Sequence, residues 1–114
     1  MLKPLIWIGS SRSDLKELPN AAQDEAGYAL YQVQLGFFPD NTKPLKGLPG
    51  VTEIVINHNK NTYRVIYSAK IGNAIYVLHV FHKKSKKGIK TPKIEIDLIK
   101  KRYHIAIMLL RSSK

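Results

Sequence analysis

Between residues 51 and 82 three runs rich in β-branched and aromatic residues follow one another with almost nothing between them: 51–57, 62–69 and 74–82. Their separators, Asn57-His58-Asn59-Lys60-Asn61 and Lys70-Ile71-Gly72-Asn73, are turn chemistry. Connections this short leave neighbouring strands antiparallel, so the sequence predicts a three-stranded meander. A period of two sorts its faces. In the middle strand Arg64, Ile66 and Ser68 share one side, with Tyr63, Val65 and Tyr67 on the other. In the last, Tyr76, Leu78, Val80 and His82 oppose Ile75, Val77, His79 and Phe81.

Shorter elements flank the meander. Residues 3–8 form an apolar run ending at Gly9-Ser10, which suits a strand free to pair at an edge. Ser11 with Asp14 reads as the capping box of a short helix stopped by Pro19. Asn20 then caps a second helix with Gln23 three residues on, and Ala22, Ala26, Ala29 or Leu30, and Val33 recur at helical spacing up to Gly36. Residues 37–50 carry three prolines and two glycines and read as loop. Thr91-Pro92 supplies an N-cap and first residue for a helix running to about residue 110. Ile94, Leu98 and Ile99 give that helix an inner face, whereas 105–110 is apolar all round and must be buried twice or face a partner. The expectation is one α+β domain over residues 1–114, in the order β-α-α-β-β-β-α. It has a small, mostly antiparallel sheet, an N-terminal helical hairpin and a C-terminal helix, with helices on one side and the other sheet face open.

Composition narrows the chemistry. Without cysteine there is no disulfide scaffold, thiolate nucleophile or Cys-ligated zinc. No apolar run approaches the roughly 20 residues a bilayer requires, and a cytoplasmic protein without membrane attachment is expected. The net charge of +11 is concentrated in one half of the chain. Residues 58–114 hold fourteen basic residues against Glu95 and Asp97, whereas residues 1–57 hold five against six. Such asymmetry points to a polyanion, with nucleic acid, an acidic protein and an anionic membrane all compatible.

Gly-rich phosphate loops, G-x-S-x-G, H-E-x-x-H and EF-hand spacings are absent. His79 and His82 point to opposite strand faces by their spacing, so no metal site is expected. The concentrated feature is His82-Lys83-Lys84 followed by Lys86, Lys87, Lys90 and Lys93, a run without a carboxylate. Either it is a solvated, phosphate-binding stretch, or its lysines do chemistry. Cleavage of RNA by its 2′-OH needs a base, cations around the phosphorus and an acid for the leaving oxygen, and crowded lysines can supply all three. Arg64, alone among apolar strand residues, either pairs with a carboxylate or holds a phosphate. Lys43 and Lys46 in the loop are solubilising or substrate-binding, and Tyr31, Tyr63, Tyr67 and Tyr76 are core residues or stacking platforms.

The segments Lys43-Pro-Leu-Lys-Gly-Leu, Asn61-Thr-Tyr-Arg-Val-Ile-Tyr and the stretch from Val77 through Phe81-His-Lys-Lys-Ser-Lys-Lys-Gly-Ile-Lys-Thr-Pro to Ile96 resemble toxins of the RelE/HigB superfamily, in particular the phage-derived Gp49-like branch. The resemblance covers residues 3–102 and implies a RelE/ParE-like fold. It also implies the toxin of a type II toxin–antitoxin pair, an mRNA endoribonuclease acting on the ribosome without metal or other cofactor and neutralised by a helix-turn-helix antitoxin. By position, Arg64 resembles the arginine on the scissile phosphate, and Lys83 and Lys84 the basic catalytic positions, while His82 is a candidate acid or base. Lys43, Lys46, Lys86, Lys87 and Lys90 correspond to substrate contacts. Tyr103 stands where some members have a C-terminal catalytic tyrosine. Homodimer and heterotetramer with antitoxin both remain open. So do two other functions: a ParE-like poison of gyrase, and a noncatalytic RNA-binding or phage regulatory module.

Overall fold

The computed structural model describes residues 2–83 and 91–112. Its elements are β1 (Leu5–Trp7), α1 (Ser11–Lys16), α2 (Asn20–Gln34), β2 (Thr42–Pro44), β3 (Val51–His58), β4 (Asn61–Ser68), β5 (Ile75–Lys83) and α3 (Lys93–Ser112). They build one five-stranded sheet in the order β1-β5-β4-β3-β2, antiparallel except where β1 runs parallel to β5. The meander and the edge position of the first strand are as the sequence suggests. β2 is new, a three-residue edge strand inside the supposed loop, with Pro44 where a missing N–H costs no ladder bond.

Local chemistry fixes the joints. The β3–β4 hairpin turns on two residues, Asn59 and Lys60, both left-handed at φ 49° and 65°, the conformation that matches strand twist in a tight hairpin. The helical caps differ from the sequence reading. Ser11 begins α1 but is fully buried and donates to Val77 O at 3.1 Å, so Ser10 takes the partnership with Asp14 (2.7 Å). Gln23 does not serve its own helix; its side-chain amide closes the end of α1 by donating to Lys16 O and Leu18 O. At the far end of α2, Gly36 N bonds Val33 O and Phe37 N bonds Gln32 O, the paired closure of a Schellman turn.

The sheet is covered on both faces, which corrects the expectation of helices on one side only. α2 contributes Ala22, Ala26, Ala29, Leu30 and Val33 to a core with Ile54, Ile56, Tyr63, Val65 and Val80. α3 contributes Ile99 and Ala106 to a second core with Val51, Ile66, Tyr76, Leu78 and Phe81. A β-bulge divides the residues of β5 between the two faces. Ile66 pairs with His79 but Tyr67 with Val77, so Leu78 is an extra residue and the alternation changes phase. Val80 therefore joins Ile75 and Val77 on the α2 side, while Phe81 joins Tyr76 and Leu78 beneath α3. The uniform alternation read from sequence is overturned on this point.

In α3 the inner stripe is Ile96, Ile99, Tyr103, Ala106 and Leu110, while Ile94 is 77% exposed, contrary to its expected place inside. Within 105–110, Ala106, Ile107 and Leu110 close the core while Ile105, Met108 and Leu109 face outward. α3 comes so close to the β4–β5 turn that a Cβ on Gly72 would lie 2.9 Å from Leu110 Cδ1. A polar chain also fastens it. Arg102 donates to Leu78 O, Ser10 Oγ and His79 Nδ1, and the opposite His79 nitrogen lies 3.0 Å from Glu95. Since a guanidinium only donates, His79 Nδ1 accepts and Nε2–H donates to Glu95. No described helix is long and apolar enough to cross a membrane.

Candidate active site

Four adjacent strands each place one charged residue on the face that α3 covers. The ladder sets Lys43 of β2 opposite Glu53 of β3. Arg64 of β4 faces Val55, one diagonal step from Glu53, and Lys83 of β5 faces Thr62, one diagonal step from Arg64. Arg64 Nη1 donates to Glu53 Oε1, and both side chains are almost fully buried. Lys83 is 8% exposed.

The cations outnumber the carboxylate. Among the described residues neither Arg64 Nε nor Lys83 Nζ has a hydrogen-bond partner. Leaving such groups unpaired away from water is expensive, so an anion placed beside them would relieve the cost. Burial is the main cause holding the Lys83 amine below its ordinary 10.5, with Arg64 lowering it further, Glu53 opposing and Lys43 adding a smaller decrease. Beside the cluster opens a cleft of about 800 Å³ lined by Lys43, Leu45, Lys46, Glu53, Thr91 and Ile96. Thus Lys43 and Lys46 line it, and Thr91 and Ile96 bring the start of α3 into its wall.

Of the other residues singled out by sequence, His82 lies across the sheet from Arg64. Its ring sits 4.9 Å from that of Tyr63, centroid to centroid, and its Nε2 lies 3.1 Å from Asn61 Oδ1. Lys84, Lys86, Lys87 and Lys90 fall outside the described residues. Tyr63, Tyr67 and Tyr76 are core residues, leaving Tyr31 exposed; burial raises the Tyr67 phenol, with a hydrogen bond to Thr52 partly opposing. Tyr103, on the inner stripe of α3, packs partly buried against the second core. Glu53, which the sequence reading did not select, is the one carboxylate in the cluster. It could have been found by counting rungs back from a two-residue turn at Asn59-Lys60, which sets it diagonal to Arg64.

No curated protein matches the chain. Among solved structures it is similar to a free double-arginine mutant of the E. coli toxin RelE, with a TM-score of 0.63 over 89% of this chain and 98% of that one, at 16% identity. At that identity the likeness shows the fold, which is RelE-like. The family model described as phage derived protein Gp49-like (DUF891) matches residues 13–104, which takes in most of α1, all of α2, the meander, the buried charge cluster and the larger part of α3. By that match the chain belongs to the phage-derived Gp49-like family.

Proposed function

We propose that the protein is the toxin of a type II toxin–antitoxin pair, a cytoplasmic endoribonuclease that cuts messenger RNA on the ribosome. The observation that carries this reading is the buried pair Arg64 and Lys83, each with a nitrogen that has no partner among the described residues, beside a cleft lined by Lys43 and Lys46. Its chemistry is transesterification. The 2′-oxygen of one nucleotide attacks the adjacent phosphorus, the bond to the 5′-oxygen breaks, and the products are a 2′,3′-cyclic phosphate and a 5′-hydroxyl.

Arg64 supports charge on the non-bridging oxygens through its free Nε edge, while Glu53 holds the other end of the guanidinium in place. Lys83, whose proton is loosened by burial and by the neighbouring Arg64, is the group that takes the 2′-OH proton once its own has left. Lys43 and Lys46 draw the RNA backbone into the cleft, and a cleft lysine returns a proton to the departing 5′-oxygen. In this scheme His82, on the far face, takes no part in the chemical step. The partners are message on the ribosome and a helix-turn-helix antitoxin; RelE-like folding and the Gp49-like family support both.

The test is cell-free translation with wild type, Arg64→Ala and His82→Ala, mapping new 5′ ends on the message. Codon-phased cuts by wild type and His82→Ala, lost in folded Arg64→Ala, are expected. Intact message with wild type overturns the reading and directs attention to gyrase.

A further inference from the structure

A second recess lies on the opposite side of the β2 edge. It encloses about 320 Å³ and is lined among others by Lys3, Phe37, Phe38, Pro44, Tyr67 and Lys70, with no carboxylate among the described residues of its wall. Phe37 is 61% and Phe38 82% exposed. Two large rings in water are normally unfavourable in a segment free to turn them inward. This segment is not free. The Schellman closure bonds Phe37 N to Gln32 O, and Pro39 O accepts from both the amide and the hydroxyl of Thr42. Phe38 precedes a buried proline, which biases it to extended backbone. The rings are therefore displayed from a loop tied at both ends, with lysines on either side.

Displayed aromatic faces with cations alongside fit single-stranded nucleic acid, whose bases stack on rings while its phosphates take the cations. Position agrees. Pro44 lines both this recess and the cleft, and β2 is the last strand of the sheet, so a strand of RNA leaving the cleft rounds a bare edge to reach the phenylalanines. We propose that this recess is a nucleobase subsite for single-stranded RNA, with Phe37 or Phe38 stacking a base and Lys3 and Lys70 on neighbouring phosphates. The subsite rests on the RNA-cleaving reading and extends it to substrate flanking the cut.

The experiment measures affinity for a fully 2′-O-methylated RNA oligonucleotide, which lacks the attacking hydroxyl and stays intact. Phe37→Ala/Phe38→Ala should bind between about 5-fold and 150-fold more weakly for one stacked base. Lys3→Ala/Lys70→Ala should flatten the slope of log affinity against log salt by about 0.7 per lysine. All four side chains lie at the surface or its margin, and unchanged thermal melting would certify the fold. Unchanged affinity and slope in both variants overturn the subsite. Unchanged RNA affinity with weakened binding of a synthetic acidic, leucine-rich helical peptide also overturns it, and assigns the patch to a protein. Arg64-dependent cutting that survives alongside either result leaves the nuclease reading standing, whereas wild type that neither binds nor cuts RNA removes both.

Discussion

Replacing Glu53 by alanine tests whether the buried cluster is held together by its single carboxylate. Glu53 and Arg64 are 3% and 5% exposed, and Lys83 lies close enough to share the same field. Removing one member of a buried ion pair costs about 3–5 kcal/mol, mostly because the remaining charge is left uncompensated. Here two cations remain, so the upper part of that range is expected. A chain of 114 residues has on the order of 10 kcal/mol to lose. With a urea dependence of about 1.5 kcal/mol per molar, the unfolding midpoint followed by circular dichroism should fall by about 2–3 M. Two further variants separate the cause. Glu53→Ala should cost less in a Lys83→Met background, since one buried cation is already gone, and the Glu53→Leu/Arg64→Met pair should cost less than Glu53→Ala alone. A loss below about 1 kcal/mol for Glu53→Ala, or strict additivity with Lys83→Met, would refute the account of a carboxylate neutralising both cations.

Three further outcomes can be measured. Because the folded chain lowers the proton affinity of Lys83, the unfolded chain holds that proton more tightly; stability should rise with pH from the folded value to the ordinary 10.5. Lys83→Met should therefore be the more stable protein near neutrality in parallel urea titrations, with the difference narrowing as pH rises; a constant difference contradicts the assignment. Lys60→Gly relieves a non-glycine residue at φ 65° and should raise stability by about 0.5–1 kcal/mol, read as a higher melting temperature. Gly72→Ala introduces a side chain at φ +59° against Leu110 and should lower stability by about 1–2 kcal/mol in the same assay; a neutral result would show that the end of α3 does not press on the turn.

The meander was legible because its signals are local: β-branched runs and turn residues decide it before any distant contact forms. So were the Gly36 stop and the start of α3 near Pro92. What escaped depends on pairing between distant parts. β2 has three residues and a proline, too little for a periodic signal, and exists by pairing with β3. The inner face of α3 turns on where its stripe begins, and a shift from Ile94 to Ile96 moves it around the helix. Arg64 and Lys83 stood out as basic residues in or beside apolar strands. Glu53 did not, because its meaning lies in a register that requires the five residues from Asn57 to Asn61 to be divided into two turn residues and three strand residues. The faces that His79 to Lys83 take were hidden by the extra residue at Leu78.

That extra residue has a chemical consequence. Were the same residues of β5 to pair regularly from the Tyr67–Val77 rung, with Leu78 opposite Ile66 and no bulge, His82 would stand opposite Thr62, and an imidazole would share the face of Arg64. As folded, the same rung holds Lys83. The bulge in mid-strand thus decides whether the face of Arg64 is served by a group that ordinarily titrates near neutrality or by an amine. Relatives compared by counting from the basic run would be matched across opposite faces wherever the same stretch pairs without a bulge. The meaningful correspondence is by rung, taking whichever side chain faces the partner of Thr62 in the neighbouring strand.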